Sequence, residues 1–175
     1  MNLFSFKHKN INCSAVVVAA GNSVRFGEDK IFALLSGIPV LAYSLATLES
    51  CEYVSEIVVV ADCAKITEVA ALCEKYNISK VSKVVCGGAT RLESALSGIS
   101  ETDKRSCLIA VHDGARPLVT KNIIENTIEC AMKHKAASPG VPAKDTVKIV
   151  SNSFVSETPE RSRVYSIQTP QGFVP

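Results

Sequence analysis

At 175 residues the chain is the size of one ordinary domain, and with 47% hydrophobic and 21% charged residues it can bury a substantial core. A formal net charge of +2 and the lack of any basic run exclude the electrostatic footprint of a general nucleic-acid binder. The apolar runs fall far short of the ~18 residues a membrane helix needs. Residues 1–12 have neither the apolar length nor the small-residue cleavage site of a signal peptide. No nucleic-acid or membrane partner is expected, and the cytoplasm is the expected location.

Seven cysteines are scattered without a C-x-x-C pair. An odd number in this pattern predicts reduced thiols, mostly buried, rather than a disulfide framework. With three histidines and no ligand spacing among them, a zinc site is not expected.

In chain order, residues 15–20 (AVVVAA) read as a buried strand, followed by strands at 57–61, 81–86 and 108–112. Their apolar character is continuous rather than alternating, which fits strands covered on both faces of a parallel sheet. Between them, Ile66, Val69, Ala70, Cys73 and Tyr76 share one helical face, as do Leu92, Ala95, Leu96 and Ile99, and Ile123, Ile124, Thr127, Ile128 and Ala131. This alternation predicts an α/β fold with a doubly wound, mostly parallel sheet in one domain spanning 1–175. Ligands of such sheets bind at the C-terminal strand ends. Beyond Pro139, residues 146–150 and 154–157 read as two short strands around Ser151-Asn152-Ser153, a hairpin arm protruding from the core, with the arm as a whole at 143–165.

The chemistry-bearing segments follow these strands directly. The first strand runs into Ala19-Ala20-Gly21-Asn22-Ser23-Val24-Arg25-Phe26-Gly27, with Lys30 close behind. Small residues let backbone amides approach phosphate oxygens, and Arg25 and Lys30 add two cations. G-x-G-x-x-G is missing, so this is not a dinucleotide fingerprint. No G-K-[ST] ends it, so it is not a Walker loop. An acidic residue for a ribose is offered after the second strand only by Asp62. The third strand ends in Cys86-Gly87-Gly88-Ala89-Thr90-Arg91, where Thr90 can cap the next helix. The fourth ends in Val111-His112-Asp113-Gly114-Ala115-Arg116-Pro117. Asp113 stands where a carboxylate can hold Mg2+ against phosphates, and Arg116 can grip a second anion. His112, inside the strand, reads as a core residue. Each motif alone is as compatible with an ordinary turn or a solvated charge.

Together and in this order, A-A-G-x-x-x-R-[FM]-G…K, G-G-x-x-R-x-x-S, H-D-[AG]-A-R-P, D-T-[VM]-K and T-P-Q-x-F resemble the 2-C-methyl-D-erythritol 4-phosphate cytidylyltransferase family. The resemblance runs from Ala15 to Phe173, and the H-D-G-A-R-P and Q-T-P-Q-G-F segments are its most specific parts. It implies a Rossmann-like nucleotide-diphospho-sugar transferase fold. It also implies transfer of CMP from CTP to 2-C-methyl-D-erythritol 4-phosphate with Mg2+, giving pyrophosphate, in isoprenoid-precursor synthesis. Carried over by position, Ala19, Ala20 and Gly21 line the nucleotide pocket, with Gly88 and Ser94 at the cytidine. Arg25 and Lys30 bind the triphosphate and stabilise the transition state. Asp113 places the metal. Arg116, Thr146 and Arg161 serve the acceptor, Arg161 reaching across a homodimer built on the arm.

The residues support such a mechanism in their own right. A phosphate acceptor is already a competent anion, so no general base is needed, and the difficulty is repulsion between two charged phosphates. Three positions depart from the family pattern: Ser23 replaces a common glycine, Ala89 a common Asp, and no Pro precedes Lys30. Family members also continue past the position of Pro175 with a further strand and an N-x-K-x-T segment. Two alternatives are a cytidylyltransferase for another pentitol phosphate, such as ribitol 5-phosphate, and a nucleotide-binding, dimerising module without turnover. A GTP-using cofactor nucleotidyltransferase is disfavoured by H-D-G-A-R-P.

Overall fold

The computed structural model describes residues 11–21 and 29–175. The chain runs β1 (Cys13–Ala19), β2 (Leu34–Leu35), β3 (Ile38–Pro39), α1 (Val40–Glu49), β4 (Val54–Ala61), α2 (Ile66–Lys75), β5 (Val81–Cys86), α3 (Arg91–Ser100) and β6 (Leu108–Asp113). It continues with α4 (Lys121–His134), β7 (Ala136–Ala137), β8 (Gly140–Pro142), β9 (Ile149–Ser151), β10 (Phe154–Glu157), β11 (Tyr165–Ile167) and β12 (Gln171–Phe173).

The six-stranded sheet has the order β5-β4-β1-β6-β12-β7. β5, β4, β1 and β6 pair in parallel, and β12 is antiparallel to both β6 and β7. The expected doubly wound, mostly parallel sheet is therefore present. The chain moves outward from β1 through β4 to β5, then crosses back to place β6 on the other side of β1. That reversal is a topological switch point, where a crevice opens beyond the strand ends.

Because alternate residues of a strand face opposite sides, β1 feeds two cores. Ala15, Val17 and Ala19 join Val59, Ala61, Leu108 and Ala110 beneath α1, α2 and α4. Val16 joins Val60, Ile109 and Val111 beneath Ala95 of α3. Helix α1, which the motifs did not single out, buries Leu41, Ala42, Leu45 and Leu48. On α3 the expected face is corrected. Leu92 and Leu96 are exposed, at 68% and 55%, and the buried residues are Ser94, Ala95 and Gly98. The reason is close packing: a side chain on Gly98 would overlap Val16 and Val60. The helix thus seats on its small residues, which rotates its leucines outward. Ile123 on α4 is likewise partly exposed, while Ile124, Thr127, Ile128 and Ala131 are buried.

The hairpin arm is present. β9 and β10 pair antiparallel around Asn152 and Ser153, both at positive φ (49° and 68°), as a two-residue turn of the I′ kind requires. Its first strand begins at Ile149, later than expected. A second antiparallel pair, β8 with β11, forms the stem, so strand pairing begins at Gly140 and closes at Ile167.

The sheet end away from the crevice is tied by one carboxylate. Glu56 accepts hydrogen bonds from Ser14 Oγ (2.6 Å), Ser82 Oγ (2.8 Å) and the Asp103 N–H (2.8 Å). It thereby joins β1, β5 and the loop before β6. Burial pushes the Glu56 carboxyl up, but these hydrogen bonds outweigh it and hold it below its ordinary 4.5. Glu56→Gln is expected to lower unfolding stability by about 1–2 kcal/mol at neutral pH, as measured by urea denaturation. A depressed carboxylate contributes stability above its unfolded value and loses it as pH falls through the folded value. The gap between wild type and variant should therefore narrow below the ordinary 4.5.

Candidate functional site

At the switch point lies a cavity of about 650 Å³. Its lining comes from four strand ends: Ala19, Ala20 and Gly21 after β1, Asp62 and Cys63 after β4, Gly87 and Gly88 after β5, and Asp113 and Ala115 at β6, with Lys30, Arg91 and Ser94 beside them. The parallel register sets this convergence, since Ala19 lies opposite Ala61, Ala61 opposite Cys86, and Val18 opposite Asp113.

The Gly87-Gly88 turn is held tightly. Gly87 N–H donates to Ala61 O (2.9 Å), and Gly88 N–H donates to Ser94 Oγ (3.1 Å). A Cβ on Gly87 would overlap Ala20 and crowd Ser94 Oγ. Ser94 is thus buried beneath the loop as its support, and Gly88 presents backbone to the cavity. Thr90 caps α3 as expected. Its hydroxyl accepts from the Glu93 N–H and the Glu93 carboxylate accepts from the Thr90 N–H, a complete capping box.

Lys30 lines the cavity from a turn organised by Asp29. The Asp29 carbonyl accepts from Phe32 and Ala33 N–H, and its carboxylate pairs with Lys65, whose ammonium lies 5.7 Å from the Phe32 ring centre. Arg25 lies outside the described residues.

Asp113 closes the cavity at the end of β6. Its Oδ1 accepts from Arg91 Nε (3.0 Å) and Nη2 (2.8 Å), and its Oδ2 accepts from Arg116 Nε (3.0 Å). Burial pushes the Asp113 carboxyl up, but the two guanidinium groups outweigh it and hold it below the ordinary carboxylate range. Arg116 also donates to Gln168 Oε1. Arg116, Gln168 and Thr169 line a second cavity of about 500 Å³, walled by Leu118, Val119 and Val141. Asp113 and Arg91 therefore line the first cavity, and Arg116, bound to the same carboxylate, lines the second.

The loop after Asp113 is anchored from below. Gly114 N–H donates to Val18 O (2.9 Å), and Gly114 O accepts from the buried Ser44 hydroxyl of α1 (2.9 Å). His112 is fully buried, as expected of a core residue, with Nδ1 3.0 Å from Thr169 Oγ1. Burial pushes its imidazole down to about 4, so it is neutral near pH 7. Thr169 also accepts from the Asp113 N–H (3.3 Å), which ties the carboxylate's backbone to the chain entering β12.

Thr146 and Arg161 lie on the arm, outside the lining of both cavities. Thr146 is exposed, and Arg161 Nη1 reaches Lys144 O at 3.5 Å. One chain does not bring them to Asp113. The cysteines also depart from expectation. Cys63 and Cys86 are joined as a disulfide at the cavity rim, with Cα atoms 4.7 Å apart. Neighbouring parallel strands bring together residues that sequence spacing keeps 23 positions apart. Cys13, Cys51 and Cys73 are buried thiols, whereas Cys130 is exposed. Sequence reasoning gave no role to Arg91, Gln168 or Ser44; the G-G-x-x-R-x-x-S spacing carried the signal for the first.

Strand ends, backbone-lined turns and flanking cations define an α/β protein built to hold a phosphorylated nucleotide. The family model for 2-C-methyl-D-erythritol 4-phosphate cytidylyltransferase matches residues 13–175. The cytidylyltransferase of that name from Caldanaerobacter subterraneus subsp. tengcongensis is 44% identical over 93% of this chain and 74% of its own length. That of Halalkalibacterium halodurans is 41% identical over 91% of this chain and 71% of its own. Among solved structures, the 4-diphosphocytidyl-2C-methyl-D-erythritol synthase of Anaerococcus prevotii superposes with a TM-score of 0.82 at 33% identity, covering 94% of this chain and 70% of that one. The chain belongs to the 2-C-methyl-D-erythritol 4-phosphate cytidylyltransferase family.

The packing around the Gly87 turn makes a direct prediction. Gly87→Ala should displace Ala20 or Ser94 and weaken binding of a cytidine nucleotide roughly tenfold, in line with the ~1–3 kcal/mol typical of overpacking. Calorimetric titration checks this, and unchanged affinity would show that the turn does not shape the nucleotide site.

Proposed function

We propose that this chain transfers the CMP unit of CTP to 2-C-methyl-D-erythritol 4-phosphate, releasing pyrophosphate, as a step of isoprenoid biosynthesis. The observation that carries this reading is the pair of cavities linked by the Asp113–Arg116 ion pair, one lined by strand-end backbone, Lys30 and Asp113, the other by Arg116 and Gln168. A nucleotide in the first and an acceptor phosphate in the second would face each other across that ion pair. An acceptor phosphate oxygen forms the new bond to the α-phosphorus of CTP, and the bond from that phosphorus to the bridging oxygen breaks. The electron pair leaves with pyrophosphate.

In this reading the Ala19-Ala20-Gly21 backbone and Gly88 line the nucleotide, and Ser94 keeps the Gly88 turn in place. Lys30 and Arg25 compensate the charge that gathers on the phosphate oxygens during substitution. Arg116 orients the acceptor phosphate. No side chain need remove a proton, because the acceptor enters as an anion. Mg2+ fits a site with one carboxylate, since this ion is commonly held by one or two carboxylates plus substrate phosphates. Asp113 is that carboxylate here, and among the described residues there is no cluster of three His, Cys, Asp or Glu to form a cage of protein alone. Bound there, the ion would supply charge neutralisation and alignment of the triphosphate.

The reading includes a homodimer built on the arm, in which Thr146 and Arg161 serve the acceptor site and Arg161 reaches that of the other subunit. It is supported by the apolar side chains the arm leaves in solvent: Ile149, Val150, Phe154 and Val155, with Tyr165 and Ile167 at the stem. It also places the protein in the cytoplasm. The buried thiols of Cys13, Cys51 and Cys73 suit a reducing compartment, with the Cys63–Cys86 pair as the exception.

The deciding experiment is pyrophosphate release from CTP with Mg2+, offering 2-C-methyl-D-erythritol 4-phosphate and ribitol 5-phosphate in parallel. Release with the first alone supports the proposal. Release with the second alone replaces the acceptor, and release with neither, with CTP still bound, supports a binding module. Lys30→Ala and Arg25→Ala are each expected to lower kcat by ~10² or more, the scale of losing preorganised charge. Near-normal kcat would remove that residue from the transition state. Phe154→Asp should shift the protein toward monomer in sedimentation velocity, and an unchanged dimer would place the interface elsewhere.

A further inference from the structure

Arg91 is the first residue of α3, directly after the Thr90 cap. A cation there faces the positive end of the helix dipole, the electrostatically unfavourable end. It lines the nucleotide cavity, and its guanidinium is bound through two nitrogens to Oδ1 of Asp113. Oδ2 of the same carboxylate is held by Arg116, which faces the second cavity. Both oxygens are therefore already engaged, Oδ1 by two charged hydrogen bonds and Oδ2 by one. The Arg116 contact is a single bond from a side chain also held by Gln168. The Arg91 contact lies on the nucleotide side, where a metal carried by the triphosphate arrives.

We propose that Arg91 is a resident counter-ion of Asp113 that the divalent cation must displace. It is a positioning residue that keeps the carboxylate aimed at the cavity and holds its metal affinity down until a triphosphate is present. A divalent ion alone gains one carboxylate and must separate an ion pair. An ion arriving with the triphosphate also brings phosphate oxygens, and these give the released guanidinium a new anion in the same cavity, which offsets part of the cost of separating the pair. Exchange of partners is favourable only in the second case. The inference rests on the reading of Asp113 as the metal carboxylate.

The test compares CTP binding by calorimetry without acceptor, once with EDTA and once with Mn2+. The quantity read is the dissociation constant in EDTA divided by that in Mn2+, so that the loss of one positive charge from the cavity, common to both conditions, largely cancels. In Arg91→Gln the ratio should rise roughly three- to tenfold over wild type, the scale of freeing a partly exposed charged pair. Arg91→Lys, which keeps the charge without the two-nitrogen grip, should fall between. A ratio in Arg91→Gln equal to or below that of wild type overturns the inference. Asp113→Asn separates the two levels: it should reduce the ratio, and a wild-type ratio in that variant removes the metal reading and the inference together. Arg91 is half exposed and the capping box uses Thr90 and Glu93, so thermal unfolding of the Gln variant should match wild type.

Discussion

β1 is hydrogen-bonded along both edges to parallel strands, and the chain reaches those two neighbours by moving in opposite directions. Everything proposed for the site depends on that constraint. Helices must cover both faces, because a parallel strand so placed has no solvent side. The reversal of strand order leaves the C-terminal ends of β5, β4, β1 and β6 side by side, and the residues that follow them line the crevice. The small residues at these ends follow from the same geometry. Gly114 sits against Leu41, Ala19 and Val17, where a Cβ would be a tight fit and these side chains would have to give slightly. Gly98 does the same work one layer away by letting α3 lie close on Val16 and Val60.

The two ends of the sheet use charge differently. At the far end Glu56 collects neutral donors from three segments and acts as a fixed staple. At the crevice Asp113 collects two cations on flexible side chains, each of which also faces a cavity. Both carboxyls are held below their ordinary range, yet only the second can exchange its partners without unravelling backbone contacts. Bringing two phosphorylated molecules together calls for charge that can be redistributed as they arrive, and paired guanidinium groups around one carboxylate provide it.

Much of this was legible beforehand. Runs such as VVV in β1 and IVVV in β4 have no polar face, so they had to be strands covered on both sides, and glycines and charges placed directly after them had to lie at the ligand end. Thr90 was legible as the cap of the helix that follows, and the structure completes the box with Glu93. The leucines of α3 misled because amphipathic spacing assumes that the largest side chains face the core, whereas a glycine contact turned this helix by a fraction of a turn. α1 was missed because it is apolar on more than one side, so no stripe marks it. The Cys63–Cys86 bond was missed because nothing in a 23-residue separation reports that β4 and β5 are neighbours.

The sequence by itself determined the fold class, the strand ends that bear the chemistry and the family, because these depend on local period, on residue size at turns and on the order of short motifs. Only the tertiary structure decided which charges share a partner. Arg91 and Asp113 are 22 positions apart, and Arg116 and Gln168 are 52 apart. Their contacts come from the crossover that sets β6 beside β1 and from the antiparallel return of β12. An electrostatic pairing acts over a few ångströms, and distance along a chain does not encode it; the sheet order does.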